Sequence, residues 1–243
     1  MSARALVAQA RVELVLTLRR SESLLVTLGI PIGILVFFAK VNGISDLKDP
    51  VQFLVPGILA LAVMSTAMVS LGIATGYERH YGVLKRLGAT PLSRSGLLAA
   101  KTLNVLAIEV IQAVVIIVTG LALGWDITTG VLPALGLLLL GTVAFAGIGM
   151  LMAGTLRAEA NLALSNGLFL VLLFLGGMAY PLVKLPGFLQ GVAKALPAAP
   201  LAETVRDVVE KGHSFPVGLL AVLIAWAVVA PLAAARWFRW EEE

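Results

Sequence analysis

The sequence contains no cysteine among its 243 residues, which excludes disulfide bonds, thiolate metal sites and cysteine nucleophiles. Charged residues are also scarce: 13% of the chain is Asp, Glu, Lys or Arg, whereas 59% is hydrophobic. A soluble domain of this length has about one quarter charged residues, and so few charges cannot cover the surface of a water-soluble globule. The composition therefore excludes a cytosolic enzyme, a nucleic-acid-binding module and a disordered regulator. It indicates a protein embedded in the lipid bilayer.

Catalytic motifs are missing as well. The two histidines, His80 and His213, fall on opposite sides of the predicted membrane, separated by about 30 Å of hydrocarbon, so they cannot share a metal ion. The sequence has no H-E-x-x-H, no G-x-S-x-G and no G-x-x-x-x-G-K-[ST] phosphate loop. We therefore expect a chain that is not an enzyme, binds no metal or cofactor itself and cannot hydrolyse ATP through a phosphate loop.

Long apolar runs dominate what is present. A helix needs about 20 mostly apolar residues to cross a bilayer. We predict an all-α integral membrane fold, with one transmembrane domain over residues 1–243. Its six transmembrane helices are expected at about residues 23–39, 51–75, 103–123, 131–153, 161–180 and 217–235. Residues 3–20 are amphipathic, which predicts an N-terminal interfacial helix; the alternative is that they are the first turns of span one.

The segment between spans five and six has a different composition. Residues 181–216 contain five of the eleven prolines, separated by half-apolar pieces that are too short to cross a bilayer. We expect these pieces to form short interfacial or re-entrant helices before the last span, shielded by protein where they enter the membrane.

The distribution of Lys and Arg predicts the orientation. If the N-terminus is cytoplasmic, twelve of these residues fall on the inside and six on the outside. Cytoplasmic segments carry an excess of Lys and Arg. The count therefore favours both termini in the cytoplasm, as six spans allow.

Span three carries polar residues on one helical face. They are Thr102, Glu109, Gln112 and Thr119. A carboxylate within a membrane is energetically costly, so it faces a cavity or a partner. Two interpretations of Glu109 and Gln112 stay open: they lie on a translocation path, or they make hydrogen bonds between packed helices. The same two interpretations apply to Asn161 and Ser165 in span five.

The most charged internal segment connects spans two and three. Within it, Tyr77, Tyr81, Leu84 and Gly88 follow a helical stripe. This predicts a short amphipathic helix in this segment, with Gly88 at its end. Such a helix lies against lipid or inserts into a protein partner, and the pattern alone does not choose between them.

This segment resembles the first cytoplasmic loop of type-2 ATP-binding-cassette (ABC) exporter permeases, of the daunorubicin-exporter-like group. The family pattern is an acid and a base, then G-x-L-[charged]-x-L, then T-P-x-S-R. Here it is carried by Glu78, Gly82, Leu84, Arg86, Leu87, Thr90, Pro91, Ser93 and Arg94. The family's outer re-entrant segment has the pattern L-P…L-P-x-x-P…R. Its counterparts are Leu185, Pro186, Leu196, Pro197, Pro200 and Arg206.

The resemblance covers essentially the whole chain and implies a permease of the plasma (cell inner) membrane that exports a hydrophobic or amphiphilic substrate, as in multidrug efflux. The substrate classes are a drug, a lipid or a lipid-linked glycan. The implied partners are a nucleotide-binding ATPase subunit, which binds ATP and Mg, and a second permease subunit, in a homodimer or a paralogous heterodimer. The implied coupling helix, residues 78–87, would sit in a groove of the ATPase through Tyr81 and Leu84. The loop around Arg157 and Glu159 would make a second cytoplasmic contact.

Two alternatives come from other functional classes. One is a proton-coupled secondary transporter that uses Glu109, and the other is a non-transporting membrane assembly protein. Secondary transporters often contain inverted repeats, and we find no convincing repeat between residues 20–123 and 124–240.

Overall fold

The computed structural model describes residues 15, 21–40, 49–88, 94–126, 130–211 and 216–240. Within these ranges the regular structure is entirely helical. The helices are α1 (Ser21–Lys40), α2 (Pro50–His80), α3 (Val83–Gly88), α4 (Arg94–Ala122), α5 (Val131–Thr155), α6 (Ala158–Leu175), α7 (Gly187–Ala195), α8 (Ala198–Lys211) and α9 (Val217–Trp237). The interfacial helix predicted over residues 3–20 lies outside the described residues.

Five helices are long and apolar enough to cross a membrane: α2, α4, α5, α6 and α9. Helix α1 contributes a shorter apolar stretch, Leu28–Lys40. A 3₁₀ turn (Leu182–Lys184) and the short helices α7 and α8 precede α9. They lie in the proline-rich segment, residues 181–216. The prediction of an all-α integral membrane fold is confirmed.

Helix α2 lies at the centre of the bundle. Every residue from Phe53 to Met64 is buried, and α2 contacts α1, α4, α5, α6 and α8. Lipid suits a helix that is apolar on all sides as well as protein does, so close packing and hydrogen bonds with its neighbours, rather than apolarity, must select this central position. Its middle, Ser65–Ser70, is a π-helical segment between two α-helical parts, an irregularity that often occurs at functional sites.

Helix α5 is held between α2 and α9 by close backbone contacts at glycines. A Cβ atom on Gly149 would lie 2.6 Å from the carbonyl oxygen of Met68 in the π-helical segment. On the opposite side of α5, a Cβ atom on Gly147 would lie 2.5 Å from the backbone nitrogen of Pro231. Small residues permit this approach, and dispersion contacts and weak hydrogen bonds then hold the helices together.

The single amphipathic helix predicted over residues 78–87 is wrong. Helix α2 continues to His80, the chain turns at Tyr81 and Gly82, and α3 begins at Val83. Gly82 has a φ of 66°, a left-handed conformation that glycine adopts without steric penalty. The helical spacing of the predicted stripe therefore runs across a break in the backbone.

We predict that Gly149→Val destabilises the protein by about 2 kcal/mol or more, because the new side chain meets backbone atoms that cannot rotate away. Thermal unfolding in detergent micelles measures the change. Gly136→Val, on the same helix but with open space around the added Cβ atom, is the matched control. Equal melting temperatures for the two variants would contradict the close contact between α2 and α5.

Candidate functional site

The helices alternate in direction, so the connecting segments collect at two ends of the bundle. The Arg79 end, as we name it, contains residues 77–88, 156–159 and 238–240. The Arg206 end contains residues 49–53, 176–186 and 203–210. Glu109 and Gln112 lie between the two ends, on α4.

Arg79 is the central residue of its end. Its side chain is only 4% exposed. Nη1 donates a hydrogen bond to the Gly154 carbonyl oxygen at 2.6 Å, and Nη2 donates one to the Leu156 carbonyl oxygen. The last carbonyl groups of a helix have no partner within the helix, and a basic side chain can satisfy them. Arg79 thus joins the end of α2 to the end of α5 and to the connection between α5 and α6.

The segment after α9, residues 238–240, contacts the same Gly154 carbonyl oxygen. The Arg239 backbone N–H donates a hydrogen bond of 3.0 Å to the Gly154 carbonyl oxygen. A Cβ atom on Gly154 would overlap the Phe238 ring. The Arg79 guanidinium therefore joins the ends of α2 and α5, and the Gly154 carbonyl oxygen that it binds also holds the segment after α9. We call this arrangement the Arg79 clamp.

Glu78 is turned into the bundle. Its Oε2 atom lies 2.6 Å from Nζ of the buried Lys101, which joins α2 to α4. Removing one partner of a buried ion pair leaves an uncompensated charge, which is strongly destabilising. The Glu78 carboxylate is thus paired with Lys101 of the same chain.

The residues expected to dock a partner divide between surface and interior. Tyr81 is 65% exposed, and its ring stacks on Tyr77 with 6.1 Å between centroids. Arg86 is exposed and donates a 2.9 Å hydrogen bond to the Tyr81 carbonyl oxygen. Leu84 is only 2% exposed, so the expectation that it anchors a partner together with Tyr81 is wrong. Leu84 is instead enclosed by other residues of the chain.

Three residues of the same pattern are described only in part or not at all. The backbone of Leu87 belongs to α3, but its side chain is not described. Thr90 and Pro91 lie wholly outside the described residues.

The second expected contact, Arg157 and Glu159, lies at the surface of the Arg79 end. Arg157 precedes α6, and its carbonyl oxygen accepts a 2.8 Å hydrogen bond from the Asn161 N–H. Glu159 is in the first turn of α6, where a negative charge is favourable to the helix dipole. The Arg79 clamp holds Leu156, directly before Arg157, so this surface is joined to the end of α2.

In the apolar interior, Gln112 and Asn161 connect α2 to its neighbours. The buried Gln112 Oε1 atom accepts a 2.8 Å hydrogen bond from Thr66 of the π-helical segment. Asn161 Nδ2 donates a 2.9 Å hydrogen bond to the Gly72 carbonyl oxygen, and Ser165 donates to Asn161 Oδ1 at 3.3 Å. These contacts are of the kind that the helix-packing interpretation requires.

Glu109 differs from these residues because one of its oxygens is unsatisfied. Its Oε2 atom is 2.7 Å from the Thr142 hydroxyl of α5. Its Oε1 atom is buried and has no hydrogen-bond partner among the described residues. Glu109 lines a cavity of about 80 Å³ between α2, α4 and α5. The carboxyl group therefore has both a helix-packing contact and an open acceptor position.

Arg206 fixes the opposite end. Its Nε atom donates to the Phe53 carbonyl oxygen at 3.2 Å, and Nη2 donates to the Gly177 carbonyl oxygen at 2.9 Å. Nη1 forms an ion pair with Glu203, and the guanidinium lies 3.7 Å from the centre of the Phe53 ring. Burial lowers the pKa of Arg206, and the adjacent Glu203 acts in the opposite direction. Arg206 thus joins α8 to the start of α2 and to the turn after α6.

The two L-P pairs stand at the starts of short helices. Pro186 directly precedes α7, and Pro197 directly precedes α8. Proline suits a helix start because the first N–H groups have no intrahelical acceptor. These prolines separate the segment into short helices, and Arg206 of α8 holds it to the bundle.

Comparison with known proteins supplies the family. A family model described as "ABC-2 type transporter" matches residues 4–209. The chain belongs to the ABC-2 type transporter family. It is therefore a transmembrane permease subunit of an ABC transporter, and membership of this family implies an ATPase partner.

Two curated relatives of this ABC-2 permease come from Bacillus subtilis (strain 168). It is 26% identical over 240 residues to "Putative transport permease YvfS", with 97% of each chain covered. It is 26% identical over 189 residues to "Linearmycin resistance permease protein LnrN", covering 75% of this chain and 48% of that protein. The chain thus matches the first over nearly its full length and spans about half of the second.

Sequence reasoning missed several polar partners in this permease. The residues are Thr66, Arg79, Lys101 and Thr142. Arg79 and Lys101 resemble ordinary loop cations because they lie in the charged segment between two apolar runs. A usable signal was that charged residues sit where the two helices extend beyond their apolar runs, with Glu78 and Arg79 at the end of α2 and Lys101 near the start of α4.

We predict that Arg79→Gln lowers the free energy of unfolding by about 2–4 kcal/mol, because hydrogen bonds to charged groups contribute about 1.5–3 kcal/mol each. Thermal or denaturant unfolding in micelles measures this loss. Arg86→Gln is the control, since Arg86 is exposed and binds its own turn. If both variants were equally stable, the Arg79 clamp would not hold the end together.

Proposed function

We propose that this chain is the permease of an ATP-driven exporter that moves a hydrophobic or amphiphilic substrate out of the cell. A separate nucleotide-binding subunit binds ATP and Mg, and a second permease subunit, identical or paralogous, completes the transporter. The chain lies in the plasma membrane with the Arg79 end and both termini in the cytoplasm, as the excess of Lys and Arg favours. The Arg79 clamp is the observation that carries the proposal.

The clamp supports coupling because it joins two surfaces that an ATPase subunit can contact. One surface contains Tyr81 and Arg86, and the other contains Arg157 and Glu159. Both are at the Arg79 end, and Arg79 connects α2 to the carbonyl oxygen of Leu156. Force applied to either surface therefore acts on α2, α5 and α6 together.

Helix α2 provides a path from this end to the interior. Arg79 lies thirteen helical steps after Thr66, so the two are about 20 Å apart along the axis. Thr66 binds Gln112 of α4, and Glu109, one turn away, binds Thr142 of α5. A displacement of α2 thus changes the contacts around the cavity that Glu109 lines. This geometry supports a translocation path beside Glu109 and Gln112.

One relative supports the direction of transport, and the lining of the cavities supports the substrate class. The name of one relative assigns it to linearmycin resistance, and a permease that confers resistance by removing a compound works outward. The cavities beside α4 and α5 have mainly apolar walls, which suits a drug, a lipid or a lipid-linked glycan. The outer re-entrant helices with Pro186, Pro197 and Arg206 then face the side where substrate leaves.

We predict that Tyr81→Ala reduces the stimulation of ATP hydrolysis by this permease without changing its melting temperature, because it removes an exposed aromatic contact with the ATPase. The assay uses the nucleotide-binding subunit that co-purifies with the chain, in proteoliposomes. Tyr180→Ala is the matched control, since Tyr180 is also exposed but lies at the Arg206 end. Undiminished stimulation in Tyr81→Ala would remove the docking role of this surface.

The same vesicles test the mechanism. Export that stops on ATP depletion and persists with a proton uncoupler supports the ABC exporter. Export that shows the opposite dependence would instead support a proton-coupled transporter working through Glu109.

A further inference from the structure

Helix α2 contains a wide turn at its middle. The first half of the helix (Pro50–Met64) and the second half (Leu71–His80) are α-helical, and the π-helical segment lies between them. At the end of this segment the Leu71 N–H donates to the Thr66 carbonyl oxygen, five residues back, whereas an α-helix pairs residues four apart. The wide turn thus accommodates one residue more than a continuous α-helix between the same two halves would.

Each half of α2 is fixed to different neighbours. Arg206 of α8 donates to the Phe53 carbonyl oxygen in the first half. The second half ends in the Arg79 clamp, and its Gly72 carbonyl oxygen accepts a 2.9 Å hydrogen bond from Asn161 of α6. A relative movement of the two ends of the bundle therefore acts on the π-helical segment between them.

A wide turn can change its position along a helix without leaving backbone groups unpaired. Each step along the chain exchanges one i→i+5 hydrogen bond for one i→i+4 bond, so the number of backbone bonds stays the same. This is important inside a membrane, where an unsatisfied backbone group is strongly unfavourable. Every residue that the turn passes rotates by about 100° and shifts by about 1.5 Å along the helix axis.

The contacts on either side of the segment determine the direction of such a shift. A shift toward the Arg79 end would put Leu71 in the place of Gly72. That place has no room for a leucine side chain, because a Cβ atom on Gly72 would already lie 3.1 Å from the Cα atom of Gly149. On the other side, residues 61–64 are all apolar, so a shift there replaces one apolar side chain by another. The turn is thus blocked toward the Arg79 end and free to move toward the Arg206 end.

The contact between Thr66 and Gln112 is the one that this shift would change. Thr66 donates a 2.8 Å hydrogen bond to Oε1 of the buried Gln112, which joins the segment to α4. After the shift, Ala67 would stand in the place of Thr66. Alanine has no hydroxyl group, so α2 and α4 would lose this hydrogen bond beside the cavity that Glu109 lines.

We propose that the π-helical segment is a register hinge. Movement of the Arg79 end shifts the wide turn toward the Arg206 end, which puts Ala67 in the place of Thr66 opposite Gln112 and releases α4 from α2. Discrete shifts of this kind are one of the ways in which packed helices switch between two arrangements. This inference rests on the proposed function, because it states how ATP-driven movement of the Arg79 end reaches α4.

Two single-residue deletions test whether the segment holds an extra residue. Deletion of Val69 should turn the wide turn into an α-helical one and leave both halves of α2 in place. Deletion of Ile73, which is half-buried like Val69, is the matched control, since it either puts Leu71 against Gly149 or rotates the Arg79 end out of register. In detergent micelles we expect the first variant to unfold near the wild-type melting temperature and the second to lose its cooperative transition. Equal losses in both variants would overturn the proposal.

The second measurement uses the complete transporter with its nucleotide-binding subunit. Spin labels on cysteines introduced at Val118 of α4 and Val228 of α9 report the position of α4, because both residues are exposed and α9 packs on α5 and α8. We expect the distance between the labels to change when ATP is trapped in the wild type. After deletion of Val69 it should stay constant, because the register can no longer shift. The same change in both chains would show that α4 moves without the hinge.

Failure of the hinge is distinguishable from failure of the proposed function. An ATP-dependent change that survives deletion of Val69 contradicts the hinge alone. A distance that does not respond to ATP in the wild type contradicts ATP-driven movement of α4, and the hinge with it. The comparison of the two deletions in micelles needs no ATPase subunit, so it tests the wide turn independently of transport.

Discussion

A buried guanidinium in contact with helix-terminal carbonyl oxygens is the interaction on which the Arg79 end depends. Arg79 reaches from the last turn of α2 to the Gly154 and Leu156 carbonyl oxygens, and the Arg239 N–H shares the first of them. Without the cation, the Leu156 carbonyl oxygen would lose its side-chain donor, and the Gly154 carbonyl oxygen would keep only the Arg239 N–H. Because Arg79 binds the end of α5 and the connection to α6, and Gly154 also binds the segment after α9, the end of α2 is tied directly to its neighbours at this surface.

The same physical constraint operates at three levels of the bundle. Apolar burial gives little driving force between helices in lipid, so close packing and hydrogen bonds must determine which helices associate. At the opposite end, Arg206 joins α8 to the start of α2. In the interior, Thr66 and Gln112 join α2 to α4, while the close approach of Gly149 to Met68 holds α5 against α2. Glu109 departs from this pattern because one of its two oxygens has no hydrogen-bond partner among the described residues.

The apolar runs predicted most of the long helices because hydropathy over about 20 residues measures compatibility with the bilayer directly. The prolines likewise indicated the short helices before α9. The spacing of Tyr81 and Leu84 was misleading, because a helical period does not reveal that Gly82 reverses the sign of φ between them. Tertiary partners were also inaccessible: nothing in the local pattern pairs Glu78 with Lys101 or Glu109 with Thr142, since each contact depends on how distant helices pack. Thus the membrane fold followed from composition, whereas the state of each candidate site residue did not.

The central claim is that the end of α2 and the start of α6 move as one body when the transporter uses ATP. The natural chain has no cysteine, so cysteines introduced at the exposed residues His80, at the end of α2, and Ala160, near the start of α6, can be spin-labelled selectively. The decisive measurement is the distance between these labels in the complete transporter, without nucleotide and with ATP trapped. The account predicts an unchanged distance in the wild type and a variable one in Arg79→Gln. A nucleotide-dependent change of the same size in both proteins would contradict it.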